Sequence, residues 1–286
     1  MQIISGLALA KELKAKLAAE IAVSKEQYHR TPKLSIILLG DAPDSARYVK
    51  SKAKACNEVG MEGELHLLPE STSQEELLSL IHSLNQDNTV DGILIQLPLP
   101  THIDTKLTLE TVDYHKDADG LHPMNAGRLF DGSETILPCT PKSILALLHY
   151  GNIEITGKEA VVLGRSSLVG NPTAQMLMQE NATVTVCHSK TRNIGEIVKR
   201  ADILILAMGN PNVVTPDMLK PGVVIIDVAM NYVDDKLAGD IYSEHNLPEL
   251  EKVISAASPV PGGVGPMTIT SLIENTFEIY QRRVKG

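Results

Sequence analysis

Apolar residues near the start of the chain follow two different patterns. Between residues 7 and 28, leucine or isoleucine recurs at every fourth position from Leu9 to Ile21, which predicts an amphipathic helix. Residues 33–40 instead form a continuous apolar run that Gly40 ends, which is typical of a buried strand. The pattern therefore predicts helix and strand in succession.

The same alternation continues up to residue 100. The pattern predicts helices over 45–60 and 73–84 and strands over 63–68 and 90–100. Ser45 is suited to cap the first of these helices, and Gly60 to follow its last turn. Pro98 and Pro100 lack amide hydrogens, so we expect the last strand to end there.

The second half of the chain repeats this organisation. A helix is predicted over 143–151, a turn into a helix over 166–181, and a closing helix over 270–286. Apolar runs predict strands over 159–164, 182–189, 201–209 and 222–229. Strands separated by helices pair in parallel, so the sequence predicts an α/β fold with helices on both faces of each sheet.

The length of 286 residues favours two domains. Residues 117–142 are rich in Gly, Pro and Asp, and we place the connection between the domains in this segment. The prediction is a first parallel-sheet domain over 1–120 and a second, Rossmann-like one over 121–269, with a cleft between them. The closing helix, 270–286, is expected to pack back on the first domain.

Composition excludes several classes of function. The net charge is −9, which argues against general binding to nucleic acids or anionic membranes, and the chain has no Trp to stack on bases. The spacing of Cys56, Cys139 and Cys187 fits neither a zinc site nor a disulfide framework, so no metal is expected. No signal peptide or long apolar stretch is present, and we expect an intracellular, cytoplasmic protein.

A glycine-containing loop, Gly164 to Gly170, follows a predicted strand and opens a helix. A Rossmann domain holds a pyrophosphate at this position, because free amide groups and the helix dipole favour an anion. Ser166 stands where the usual motif has its second glycine, so the spacing alone is weak evidence. The position between strand and helix strengthens the prediction.

The residues at the end of the next predicted strand indicate whether the dinucleotide is NAD or NADP. Residues 188–192 contain no acid to bind a ribose 2′-hydroxyl, whereas Arg165, Ser189 and Arg192 could bind a 2′-phosphate. NADP is therefore favoured over NAD. The alternative is that the cations of this segment belong to a solvated loop. Gly209, after the next strand, either lets the chain pass close to the cofactor or is a simple turn glycine.

A second set of polar residues belongs to the first domain. Ser45, Tyr48 and Lys52 share one stripe of the helix 45–60, and Gln96 interrupts an apolar strand at its carboxyl end. That helix also follows a carboxyl strand end, so Lys52 and Gln96 can meet in one crevice. The alternative for a helical lysine is a solvated face.

Two further segments contain candidate binding residues. Asp117 and Asp119 could add a carboxylate to the crevice, or either is only a turn residue. Residues 258–268 hold three prolines and three glycines and are predicted to be neither helix nor central strand. This loop, with Pro261, Gly262 and Gly263, is suited to binding a flat ligand. The alternative is that it is an ordinary connection between the domains.

The assembled motifs resemble the bifunctional methylenetetrahydrofolate dehydrogenase/methenyltetrahydrofolate cyclohydrolase family over essentially the whole chain. The motifs are Tyr48–Lys52, Asp91–Pro100, Lys116–Gly120, Pro138–Pro141, Gly164–Ser166 and Pro259–Thr268. The chain departs from the family pattern at Ser143 and at Ala229, where glycine is usual, and at Ser258, where threonine is common.

The resemblance implies an NADP-dependent oxidation of 5,10-methylenetetrahydrofolate, followed by hydrolysis to 10-formyltetrahydrofolate that feeds purine synthesis. It implies Lys52, Gln96, Tyr48 and Asp119 as catalytic residues. Substrate-binding residues would be Ser45, Tyr48, Pro98, Asp119, Pro261, Gly262 and Gly263. Cofactor-binding residues would be Gly164, Arg165, Ser166, Ser189, Arg192, Gly209 and Met230. The family also implies a homodimer whose small-molecule partners are tetrahydrofolate derivatives.

Three other functions stay open from the sequence. One is a different two-domain NAD(P)-dependent dehydrogenase, such as one acting on a hydroxy acid, for which an arginine clamp would be expected. Another is a monofunctional dehydrogenase of the same family, against which Lys52 and Gln96 argue. The last is an NADP-binding sensor without catalytic activity, which would leave both of these residues without a task.

Overall fold

The structure is a computed structural model that describes residues 1–210, 213–229, 231–233, 236–241 and 250–285. The chain divides into two compact units. One contains Met1–Lys11 and Thr140–Thr268 and is called the six-stranded unit below; the other contains Glu12–Cys139 and the residues from Ile269 onward and is called the three-stranded unit.

The helices and strands of the described residues alternate along the chain. The helices are α1 (Gly6–Tyr28), α2 (Pro43–Glu58), α3 (Gln74–Gln86), α4 (Thr105–Thr111), α5 (Pro123–Asp131), α6 (Cys139–Tyr150), α7 (Gly170–Gln179), α8 (Ile194–Val198) and α9 (Val264–Lys285), with a 3-10 turn at Pro216–Met218. The strands are β1 (Gln2–Ile3), β2 (Lys33–Leu39), β3 (Glu62–Leu68), β4 (Gly92–Ile95), β5 (Glu159–Leu163), β6 (Thr183–Cys187), β7 (Ile203–Leu206), β8 (Val223–Asp227), β9 (Asn231–Val233), β10 (Lys236–Ala238) and β11 (Ile254–Ala257).

The three-stranded unit is built on a parallel sheet of order β3-β2-β4. The central strand β2 is buried from Leu34 to Leu39, because helices cover both faces of a parallel sheet. One apolar cluster packs α2 and α9 against the sheet through residues such as Val49 and Tyr280. A second cluster packs α3 on the other face through residues such as Ile81. The sheet is therefore the middle layer of this unit.

The six-stranded unit contains a parallel sheet of order β1-β11-β8-β7-β5-β6, beside a short antiparallel pair of β9 and β10. Strand β6 lies on one side of β5, whereas β7, β8 and β11 follow on the other. The strand order thus reverses between β5 and β7. Ligands of open α/β sheets bind outside the carboxyl ends of the strands at such a point. The fold class predicted from the sequence, two parallel-sheet α/β domains with a Rossmann-like second one, is confirmed.

The limits of the compact units differ from the boundary that we placed after residue 120. The three-stranded unit continues to Cys139, since Asn125 Nδ2 donates to Asp117 Oδ2 at 2.8 Å and Ile136 joins the apolar core. The first residues of the chain belong to the six-stranded unit, because β1 pairs with β11. Residues from Ile269 onward belong to the three-stranded unit.

Two local predictions were wrong. Helix α2 begins at Pro43 after Ala42, so Ser45 is not its cap; proline is favoured in the first turn, where its missing amide hydrogen is not needed. Residues 258–268 are not wholly irregular, because α9 already begins at Val264 and includes Pro266 in its first turn. The elements α4, α5, α8, β1 and β11 were not predicted, since each is too short to show a clear period.

Candidate functional site

Lys52 is the only lysine of α2 whose side chain is buried among the described residues, with 6% of its surface exposed. Val49 and Cys56 anchor this stretch of α2 in the apolar core. The Lys52 ammonium donates a hydrogen bond of 2.9 Å to Oε1 of Gln96, the residue that follows β4. The predicted meeting of these two side chains at the carboxyl edge of the sheet is therefore present in the structure.

The orientation of the Gln96 amide is fixed by its second hydrogen bond. Its Nε2 donates to the carbonyl oxygen of Leu97 at 2.7 Å, which leaves Oε1 directed at Lys52. The backbone amide of Gln96 also donates to the carbonyl of Ile37 at 2.9 Å. Strand pairing thus continues one residue beyond β4 and places the amide beside the lysine.

Tyr48 is the third member of this group. Its ring centroid lies 4.5 Å from the Lys52 nitrogen, which gives a cation–π contact. Burial, together with the nearby Asp119 carboxylate, raises the pKa of Tyr48 to about 12. The phenol therefore keeps its proton at neutral pH and can donate a hydrogen bond.

Burial pushes the charged groups of this site toward their neutral forms. It lowers the pKa of Lys52, and the Asp119 carboxylate only partly offsets this effect. Burial likewise raises the pKa of Asp119, against the opposing influence of Lys52 and of the Cys139 side chain. The amine is thus less basic than a surface lysine, which suits a group that accepts and releases protons near neutral pH.

Asn275, which the sequence patterns did not indicate, supports the loop carrying Asp119. Its Nδ2 donates to the carbonyl oxygens of Ala118 at 2.9 Å and Leu137 at 2.8 Å, and lies 3.5 Å from Cys139 Sγ. Asn275 is fully buried in α9. The sequence feature that could have indicated Asn275 is its position as a polar residue within the apolar stripe of the closing helix.

Ser45 and Pro98 flank the Lys52 group without joining it. Ser45 is half-buried in the first turn of α2, and Pro98 is exposed after a cis peptide bond to Leu97. Among the described hydrogen bonds, none links either residue to Lys52. Their assignment to substrate binding stays a prediction.

The glycines of the loop before α7 allow close packing of backbone segments. Gly164 has φ +129°, and a Cβ there would lie 2.4 Å from the carbonyl oxygen of Ala207. A Cβ on Gly170 would lie 2.1 Å from the carbonyl oxygen of Gly164. Ser166 Oγ accepts the amides of Val169 at 3.1 Å and Gly170 at 3.4 Å. The serine in this motif thus binds amides at the start of the helix.

Arg165, Ser189 and Arg192 are exposed at the predicted edge of the six-stranded unit. Arg165 comes after β5 and Ser189 after β6, and these two strands are neighbours in the sheet. The turn from His188 is closed by the amide of Thr191, which donates to the His188 carbonyl at 2.8 Å. No carboxylate occurs in residues 188–192. The three side chains therefore have space and charge suited to an anion.

Asp240 fixes the loop that contains Gly209, a residue with φ +61°. The buried Asp240 carboxylate accepts the amides of Met208 at 3.0 Å, Gly209 at 3.2 Å and Asn210 at 2.8 Å. It also accepts Asn231 Nδ2 at 3.0 Å. Since these amides are engaged by an anion, this loop is unsuited to hold a phosphate. Met230, the other predicted cofactor residue of this region, lies outside the described residues.

An apolar pocket of about 260 Å³ lies in the six-stranded unit. Its lining includes Ala229 and the predicted ligand-binding residues Pro261, Gly262 and Gly263. Asp227 also lines it; burial raises the pKa of Asp227 to about 6, although its carboxylate accepts the amides of Ala229 and Ile241. The structure thus brings the Pro-Gly loop to the residues that follow β8.

The raised pKa of Asp227 predicts a pH-dependent stability. The folded protein holds this proton up to about pH 6, whereas an unfolded aspartate loses it near 3.8. The contribution of Asp227 to stability is therefore present at low pH and is lost as pH rises from about 4 to 7. We expect the free energy of unfolding of Asp227→Asn, relative to the natural protein, to increase over this range in denaturant titrations. A difference that is constant with pH would contradict the prediction.

Among the residues that the structure describes, no helix is long and apolar enough to cross a lipid bilayer. Within the same residues, His, Cys, Asp and Glu side chains form no group of three or more that could hold a metal ion.

Comparison with known proteins identifies the family of the chain. Residues 4–119 match the catalytic domain of tetrahydrofolate dehydrogenase/cyclohydrolase, and residues 138–284 match its NAD(P)-binding domain. The chain belongs to the tetrahydrofolate dehydrogenase/cyclohydrolase family.

Relatives match the chain over nearly its whole length. It is 47% identical over 279 residues to the bifunctional protein FolD of Acetivibrio thermocellus, which covers 96% of each chain. The crystal structure of the bifunctional FolD from Campylobacter jejuni has a TM-score of 0.95 and 44% identity, and the match covers 99% of both chains. The enzyme from Trypanosoma brucei, complexed with NADP and an inhibitor, has a TM-score of 0.93 and 37% identity, over 99% of this chain and 98% of that one.

The family match agrees with the placement of the two groups of side chains. The Lys52 group lies within the catalytic-domain match, which ends at Asp119. The glycine loop, Arg165 and the Pro-Gly loop lie within the NAD(P)-binding match. A side chain at Gly164 or Gly170 would collide with backbone atoms, and exposed cations lie beside this loop. Both features fit the binding of a dinucleotide.

Proposed function

We propose that this protein oxidises 5,10-methylenetetrahydrofolate with NADP and hydrolyses the resulting 5,10-methenyl compound to 10-formyltetrahydrofolate. The observation that carries this proposal is the buried Lys52 amine, which is held by Gln96 and Tyr48 in the catalytic domain of a chain that also has an NAD(P)-binding domain.

In the hydrolytic step, Lys52 transfers the protons. A water oxygen forms a bond to the methenyl carbon while the neutral amine takes a proton from that water. The bond from this carbon to one ring nitrogen then breaks, its electron pair stays on that nitrogen, and Lys52 returns the proton to the nitrogen. The hydroxyl oxygen of the adduct forms the formyl C=O bond with a lone pair and releases its remaining proton to solvent. The lowered pKa of Lys52 supports the neutral form, and the positive charge of the substrate lowers it further.

Gln96 and Tyr48 position the amine. The Gln96 oxygen accepts one of its hydrogens, so the lone pair of neutral Lys52 is held in a fixed direction. The Tyr48 ring, 4.5 Å away, favours the protonated amine once it has accepted a proton. We assign the Tyr48 ring to the aminobenzoate part of the substrate as well, and the Asp119 carboxyl to the pterin.

The oxidation relies on positioning. NADP, when bound, supplies the hydride acceptor. Two nitrogens flank the carbon that loses hydride, and their lone pairs stabilise the cation, so no protein acid or base is required at that carbon. Pro98, Ser45 and the segment Pro261–Gly263 are assigned to holding the substrate.

NADP is assigned to the carboxyl edge of the six-stranded sheet. Gly164 and Ser166 would hold its pyrophosphate, and Gly209 and Met230 its nicotinamide end. Arg165, Ser189 and Arg192 would bind the 2′-phosphate, because they are exposed, carry positive charge or hydroxyl groups, and face no acid in residues 188–192.

A two-product assay tests the whole proposal. With 5,10-methylenetetrahydrofolate and NADP, the protein should produce reduced cofactor and then 10-formyltetrahydrofolate faster than spontaneous hydrolysis of the methenyl compound. Reduced cofactor without accelerated 10-formyl formation would instead assign a monofunctional dehydrogenase. Absence of both products would leave another dehydrogenase or a binding protein.

Replacing Arg165 by alanine tests the 2′-phosphate assignment. We expect NADP to bind about 10-fold more weakly, since a charge-assisted hydrogen bond to phosphate is lost, while NAD affinity changes less than about 2-fold. Calorimetric titration with both cofactors measures this. Arg200→Ala, at another exposed arginine of the same unit, is the control and should leave both affinities unchanged. Equal losses for NADP and NAD would contradict the assignment.

We also infer a cytoplasmic homodimer, on the basis of the family to which the chain belongs. Light scattering of the purified protein tests the assembly: a mass of about twice 31.0 kDa is expected, and a monomer mass would contradict it.

A further inference from the structure

A pocket of about 460 Å³ lies in the three-stranded unit, outside the residues given a role above. Tyr114, Ile136 and Ile279 supply apolar walls, and Lys116, Arg128 and Arg283 supply positive charge. This volume lies within the usual range for small-molecule sites, and a few cations among apolar walls are typical of them.

The pocket is at the opposite edge of the sheet from Lys52. The carbonyl of Lys116 accepts the amide of Ile93, near the start of β4, and Arg283 donates to the carbonyl of Val90, before that strand. Lys52 and Gln96 instead meet beyond the carboxyl end of β4. A ligand here would therefore be distinct from the proposed folate substrate.

Lys116 contributes a buried positive charge to the lining of the pocket. Its nitrogen donates to the carbonyls of Leu84, Asn85 and Asp87 at 2.9, 2.8 and 2.7 Å, and no ion pair to it occurs among the described residues. Burial, together with the nearby Arg283, lowers the pKa of Lys116. An anion in the pocket would offset both effects.

Arg128 is the cation best placed to bind a ligand. Its guanidinium lies 5.0 Å from the Tyr114 ring centroid, and the described part of the chain holds no carboxylate within ion-pair distance of it. The other cations are engaged: Arg283 shares the buried Asp91 with Arg30, and Arg282 is paired with acids. Asp113, the acid in the lining, is bonded to His115. Arg128 thus has free donors beside an aromatic wall.

We propose that this pocket binds a small organic phosphate, a phosphate group carried on a compact apolar or aromatic body. The fork of N–H groups of Arg128 matches two phosphate oxygens, and Lys116 adds long-range attraction. The body would contact the Tyr114 ring and the side chains of Ile136 and Ile279.

Phenyl phosphate, inorganic phosphate, phenol and benzoate are suitable probes in calorimetric titrations of the full chain. Saturating NADP is present throughout, so that the proposed 2′-phosphate site is filled. We expect saturable binding of phenyl phosphate at one site per chain, at least 5-fold tighter than inorganic phosphate or benzoate, and no binding of phenol.

Arg128→Gln should weaken phenyl phosphate binding at least 5-fold, and Arg128→Lys less. Arg200→Ala, at an exposed arginine outside the pocket, is the control and should leave it unchanged. The Arg128 variants should remain folded, because among the described residues its guanidinium has a cation–π contact with Tyr114 and no ion pair. Absence of saturable binding, equal affinity of Arg128→Gln and the natural protein, or tighter binding of benzoate or phenol would each overturn the proposal.

Discussion

Replacing Lys52 by methionine is expected to lower kcat for hydrolysis of the methenyl compound by roughly 1000-fold, within the range for loss of a general acid–base group. Methionine has a similar length and no proton to transfer. Because Lys52 is buried and burial lowers its pKa, the apolar side chain should be tolerated in the fold. NADP affinity should not change, since Lys52 lies in the catalytic-domain match.

Lys54→Met is the matched control for this experiment. Lys54 lies on the same helix, but its side chain is 79% exposed and pairs with the surface Glu58. Its replacement should leave hydrolysis unchanged. The natural protein should also hydrolyse faster as pH rises through the lowered pKa of Lys52, and the Lys52→Met variant should lack this rise. A variant that keeps the activity and the pH profile would exclude Lys52 as the proton carrier.

Replacing Asp240 by alanine is expected to lower the free energy of unfolding by at least about 3 kcal/mol. The change removes the acceptor of three backbone amides and of the Asn231 side chain, and buried donors without a partner each cost about 1–3 kcal/mol. NADP affinity of the folded fraction should fall about 10-fold or more, because the loop carrying Gly209 loses its anchor.

Asp202→Ala is the control for Asp240. Asp202 also accepts a backbone amide, that of Glu159, and pairs with Lys220, but it is half-buried at the other end of the sheet strands. Its removal should cost about 1 kcal/mol and should not alter NADP affinity. Denaturant unfolding and calorimetric titration measure the two effects. Stability and affinity of Asp240→Ala equal to those of Asp202→Ala would show that the buried carboxylate does not anchor the loop.

Local sequence patterns predicted most of the long elements. The apolar run 33–40 became β2, and the four-residue period between 7 and 28 became α1. The meeting of Lys52 and Gln96 was also predicted, because both positions follow from the parallel order of strands. Short elements such as α8 and β11 were not predicted, since four or five residues do not display a period.

Long-range contacts account for what the sequence did not reveal. Asn275 lies 156 positions after Asp119, yet it holds the carbonyl of the neighbouring Ala118. Asp240 similarly binds amides about 30 positions away. No local pattern connects such pairs.

The sequence by itself determined the α/β architecture, the family and the kinds of side chain in the candidate site, because each depends on periodicity or on short motifs. Only the tertiary structure decided that Gln96 turns its oxygen to Lys52, that burial lowers the pKa of this amine, and that Arg128 lacks a carboxylate partner among the described residues. These properties depend on which atoms surround a side chain after folding, and distant segments of the chain supply those atoms.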